Sequence, residues 1–107
     1  SINLGLISPD GREGMLTHTK QLIEMNIPYI FDPGQGMPMF NKDELKYFSD
    51  NSMWIVMNDY EFKMYNEITG LSVKDLVKTN KTIIITNGEK VQEYFLRNRS
   101  LVSQRQK

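Results

Sequence analysis

The chain has 107 residues, which bounds it to one domain burying something over ~60% of its unfolded surface. Its 13 Lys and Arg cancel its 13 Asp and Glu, which argues against nucleic acid or an anionic membrane as a partner. The absence of cysteine removes any disulfide framework, thiolate nucleophile or Cys-based zinc site and fits a cytoplasmic setting.

Residues 2–7 read as a short strand, ended by the turn signal Ser8-Pro9-Asp10-Gly11. A helix is expected from Arg12, with Met15, Leu16, Thr19, Leu22 and Ile23 on one face, stopping near Asn26 ahead of Pro28. Tyr29-Ile30-Phe31 forms a second strand, broken by DPGQG at 32–36. A loop through Met37-Pro38-Met39-Phe40 leads to a helix from Lys42 to about Phe48, with Asn41 and Glu44 spaced as a capping box.

The run MWIVM at 53–57 is continuously apolar, the pattern of a strand covered on both faces, with Trp54 in the core and Met53, Met57 and Met64 as core filler. A helix over 59–69 follows, with Gly70 as its C-cap. Ser72 and Asp75 cap a short helix ending at Val77, and TIIIT at 82–86 is the clearest strand, stopped by Asn87-Gly88. Strands alternating with helices at these spacings predict right-handed crossovers and an α/β parallel sheet. Residues 93–96 fit an edge strand or a last helical turn. Residues 91–107 are set apart from a 1–90 core as a basic tail, without the aromatic interleaving that RNA stacking uses.

Function is expected on the carboxyl edge of the sheet, because polar groups end each strand there. Asn58 and Glu61 admit two readings. A carboxylate and a carboxamide one helical turn apart can orient water on Mg2+ while free N–H groups attract phosphate; the same spacing is that of a plain capping box. Asp32 stands at a strand end with Gly34 and Gly36 permitting close ligand approach. Thr86-Asn87-Gly88 can offer a hydroxyl and N–H groups to a phosphate or ribose, or can simply end a strand. Asp10 lies on the same expected edge. His18, the sole histidine, is expected at the boundary of the apolar helix face or at the surface, with no second histidine or cysteine nearby for zinc.

GLISPDG at 5–11, FDPGQG at 31–36, NDYE at 58–61 and TNG at 86–88, in this order and spacing, resemble the middle of a ribokinase-like (PfkB) carbohydrate kinase. The likeness is nearest to the bacterial members described as adenosine-kinase-like sugar kinases, and it covers roughly residues 2–90. It implies a three-layer Rossmann-like parallel sheet with helices on its faces, present here as an incomplete ribokinase-like fold. It also implies ATP- and Mg2+-dependent phosphoryl transfer to a hydroxymethyl group of a sugar or nucleoside. Asn58 and Glu61 match the motif that organises hydrated Mg2+ and the phosphates; Thr86 and Gly88 match a nucleotide-contacting turn; Asp32 and Gly34 match a loop near the phosphate path.

The family's later Gly-x-Gly-Asp segment, which supplies its catalytic base, has no counterpart here, so no catalytic residue is assigned. Val91 stands where the turn after Thr86 usually continues to another glycine, and the remaining residues do not read like the family's next strands. The chain is therefore expected to be a central piece of such a kinase, inactive in isolation. Uncovered sheet edges and apolar faces would then favour self-association or docking of the missing segments. The alternative is a small non-catalytic α/β module binding a nucleotide or a protein partner.

Overall fold

A computed structural model describes residues 3–79, 81–97 and 100–106. Strands β1 (Gly5–Ile7), β2 (Tyr29–Phe31), β3 (Trp54–Asn58) and β4 (Thr82–Asn87) run parallel, followed by antiparallel β5 (Lys90–Arg97) and β6 (Ser100–Gln106). The six strands lie side by side in chain order. Helix α1 (Arg12–Glu24) joins β1 to β2; a 3-10 helix (Gly34–Met39) and α2 (Lys42–Asp50) join β2 to β3; α3 (Asp59–Thr69) and α4 (Val73–Val77) join β3 to β4. The α/β class is the one expected.

Strands added successively in one direction by right-handed crossovers carry their helices on one face of the sheet. Burial follows that rule. Ile7, Tyr29, Phe31, Ile55, Met57 and Ile83 are buried in one cluster with Met15 and Leu22 of α1, Leu45 and Phe48 of α2, Tyr65 of α3, and Leu76 and Val77 of α4. Phe48 stacks on Phe31 with centroids 4.9 Å apart and meets Phe40 edge-on at 4.8 Å. Beneath α2 and α3, the Ser49 and Tyr65 hydroxyls are hydrogen-bonded at 2.6 Å, and the Tyr29 hydroxyl donates to the Phe48 carbonyl.

The alternate strand positions face the other way. Leu6, Ile30, Trp54 and Thr82 are in register across β1 to β4, as are Val56 and Ile84 across β3 and β4; Leu6 is exposed and the others are half-buried. Among the described residues no helix covers this face. The apolar run of β3 predicts burial on both sides, yet only Ile55 and Met57 are buried, because one helical layer buries one side of the pleat. Met53 and Met64 are exposed too, whereas Met37 is a buried residue of the 3-10 helix that replaces the expected loop.

Beyond residue 90 the structure departs from a basic tail. A hairpin joins β4 to β5 with Asn87 opposite Lys90, leaving Gly88 and Glu89 as a two-residue turn with Gly88 at φ +61. Residues 93–96, which fit either an edge strand or a helical turn, lie within β5, and β6 pairs along it. The sheet is consequently mixed. The start of the expected first strand, Ile2, lies outside the described residues.

Candidate functional site

All four parallel strands point their carboxyl ends to one edge, and most of the anticipated residues gather there. Asn58 ends β3 directly opposite Thr86 of β4. Asp32 follows β2, its N–H donating to the Ile7 carbonyl at the end of β1 at 2.8 Å. Gly34 has φ +50, and a side chain there would start 2.5 Å from Pro9; glycine alone lets the β1 and β2 loops close on each other at this point.

Asn58 and Glu61 form the capping box. The Asn58 Oδ1 accepts from the Glu61 N–H at 2.7 Å, and the Asn58 N–H donates to Glu61 Oε1 at 2.8 Å. Tyr60 N–H is taken by Asp59 Oδ1 at 3.0 Å. Two of the first-turn donors expected to face phosphate are therefore satisfied by side chains, and with Asp59 and Glu61 present this helix end is acidic. The sequence left the capping and ligand readings open; the structure shows the cap.

Capping uses one Glu61 oxygen. Oε2 takes no hydrogen bond among the described residues, and the Glu61 carboxylate acts on Asp32. Burial of the half-buried Asp32 raises its carboxyl above the ordinary aspartate range, and the negative charge of Glu61 raises it further; a hydrogen bond from the Gly34 N–H opposes both. The negative charge of Glu61, in the first turn of α3, thus reaches Asp32 at the end of β2, a proximity that sequence spacing could not reveal because 29 positions separate them.

Among the described residues no group of three or more His, Cys, Asp or Glu is disposed to hold a metal. The donor set suits a hard cation that keeps much of its water shell, since Mg2+ is commonly held by one or two carboxylates. Asp10 stands apart, with its Oδ2 2.8 Å from where a Cβ on Gly14 would lie, over the first turn of α1. His18 is exposed, as expected.

Sequence reasoning missed a small cleft of about 190 Å3 between α3 and the β4–β5 hairpin, lined by Asp59, Ile85, Asn87, Lys90 and Tyr94 among others. Lys90 brings a positive charge to this edge through the hairpin register, and the sole advance signal was the Asn87-Gly88 turn. A second, larger cleft lies at the opposite, amino edge of the strands.

No family model matches the chain. The nucleoside kinase of Thermoplasma acidophilum is 40% identical over 67 residues, 63% of this chain and 22% of that protein. The nucleoside kinase of Methanocaldococcus jannaschii is 24% identical over 66% of this chain and 24% of its own length. Among solved structures, the Burkholderia thailandensis nucleoside kinase in complex with inosine matches 97% of this chain and 33% of its own, with TM-score 0.87 and 34% identity; it has also been solved in complex with ADP-inosine. The solved M. jannaschii enzyme, an archaeal member of the ribokinase family, shares the fold at TM-score 0.80 and 21% identity. The chain spans less than a quarter of these curated relatives and about a third of the solved kinases. In sequence and in fold together, the chain is similar to about one third of the length of these solved nucleoside kinases.

Proposed function

We propose that the chain is the Mg2+- and nucleotide-receiving central layer of an ATP-dependent nucleoside or sugar kinase of the cytoplasm. The observation that carries this reading is the gathering of Asp32, Asn58, Glu61 and Thr86 at the carboxyl ends of parallel strands, in a fold shared with the solved relatives, where the charge of Glu61 helps raise the Asp32 carboxyl. A divalent cation relieves that repulsion. It would be held, through water, by Asp32 and the free oxygen of Glu61, with Asn58 fixing Glu61 in place. When bound, Mg2+ supplies neutralisation of phosphate charge.

The acidity of the edge argues that phosphate is met through the cation, not directly by the α3 terminus. Thr86 and Gly88 border the nucleotide, and Gly34 lets phosphate approach the backbone beside Asp32. Lys90 adds a direct positive contact. The acceptor is a nucleoside by similarity to relatives named for that activity, one of them solved with inosine. With no catalytic base assigned, the chain alone binds without turnover, which is also what the second reading, a non-catalytic nucleotide-binding module, requires.

The two readings separate in a chimera. Residues 3–106 replace the matching third of the B. thailandensis kinase, and ATP-dependent phosphorylation of inosine is measured. A working segment restores transfer, and Glu61→Gln lowers kcat by about 100-fold, the order expected for losing one electrostatic stabiliser. A folded chimera without transfer would rule out the kinase reading, and full activity with Glu61→Gln would remove that residue from the site.

A further inference from the structure

The amino edge of the sheet, away from the kinase site, carries a cleft of about 530 Å3 between the carboxyl ends of α1 and α2 and the start of β4. That volume is within the ~300–1,000 Å3 typical of small-molecule sites. Lys81 forms part of its wall and is only 4% exposed. Its Nζ donates to the Asp50 carbonyl at 2.9 Å, the sole partner it has among the described residues. An ammonium has three donors, so two have no partner among the described residues. Asp50 lines the same cleft, and its carboxylate makes no ion pair among the described residues.

The Lys81–Asp50 carbonyl bond accounts for one donor as a cap on the last turn of α2. It does not account for a desolvated lysine turned to a cleft beside an unpaired carboxylate. Burial lowers the Lys81 pKa and the Asp50 charge partly restores it, although the two form no ion pair among the described residues. An anion placed at Lys81 alone is repelled by Asp50, and a cation at Asp50 alone is repelled by Lys81. A molecule bearing both charges meets both demands. The remaining wall is mixed: Leu22, Ile23, Ile27, Pro28 and Met53 form its apolar part, beside the polar Asn26, Asn51, Ser52 and Thr79.

We propose that this cleft binds a small zwitterion with an apolar substituent, of the α-amino-acid type, its carboxylate at Lys81 and its ammonium at Asp50. The assignment is independent of the kinase reading, since neither group belongs to the carboxyl-edge site.

Titration of the chain with L-leucine, followed by backbone amide shifts, tests it. Saturable shifts are expected at residues 26, 27, 50–53 and 81, with half-saturation below about 10 mM, a weak-site affinity. The singly charged analogues 4-methylpentanoate and 3-methylbutylamine bind about tenfold or more weakly, as does the chain carrying Asp50→Asn, a change at an exposed position that leaves the fold intact. Lys81→Met, if it folds by circular dichroism, gives the same loss. Absence of saturable shifts, equal binding of a singly charged analogue, or unchanged affinity in Asp50→Asn would each overturn the proposal.

Discussion

Asp32 shows how a single carboxyl connects stability to function. Its raised pKa, from burial first and Glu61 second, means that the folded state favours the protonated form. The contribution of this group to stability is therefore complete below the unfolded aspartate value near ~4 and is lost as pH rises through the raised folded value. Asp32→Asn should stabilise the chain at neutral pH by less than about 1 kcal/mol, since half-exposure screens the effect. The gain should vanish in acid, as thermal melts across pH would register. The same change should abolish most stabilisation by added Mg2+. Glu61→Gln separates cap from charge: glutamine fulfils the capping box, so melting should stay within about 0.5 kcal/mol of the parent while the Asp32 carboxyl titrates at lower pH by NMR. Asn58→Ala, by contrast, should cost about 1 kcal/mol through loss of the cap. Asn58 and Glu61 were legible in the sequence as a spaced pair; Asp32 was legible as a strand end, but the reach of the Glu61 charge to it depends on how β2 and α3 are placed in the fold.

The elements were readable wherever local chemistry decides them. Capping boxes at Asn41–Glu44, Asn58–Glu61 and Ser72–Asp75 all form at the positions their spacing gives, because the hydrogen bonds are made within one turn. Gly70 likewise closes α3, its N–H donating to the Asn66 carbonyl at 2.8 Å. The β5–β6 hairpin was not readable, since strands in a hairpin are defined by partners as much as by their own sequence. The network under α2 and α3 was also hidden, being assembled from residues 29, 48, 49 and 65. Burial raises the Tyr65 hydroxyl to about 12, opposed by its hydrogen bond with Ser49, and burial raises Tyr29 as well. Both groups must stay protonated, so their stabilisation is intact below the unfolded tyrosine value near ~10 and is lost as pH climbs above it. Tyr65→Phe should cost about 1 kcal/mol at neutral pH, leaving Ser49 with its bonds to the Leu45 and Lys46 carbonyls. It should also soften the alkaline transition followed by circular dichroism.

At the scale of the whole molecule, one face of the sheet is packed and the other presents Leu6, Ile30, Trp54, Val56 and Ile84 without a helix among the described residues. An apolar face of this kind associates, and β1 adds a free strand edge at the end of the sheet order. Light scattering should find the chain self-associated at concentrations of about 100 µM, and Leu6→Lys, at a position 52% exposed, should shift it toward monomer without changing its far-ultraviolet spectrum. Relatives three times longer have sequence available to cover such a face, which is why the kinase reading assigns turnover to a larger assembly. The most direct test of that reading is an amide-shift titration of the chain with ADP in the presence and absence of Mg2+. Shifts at residues 32, 34, 58–61 and 86–90 that require Mg2+ and disappear in Glu61→Gln are the predicted result. No shift at these residues, or the same shifts without Mg2+, would contradict it.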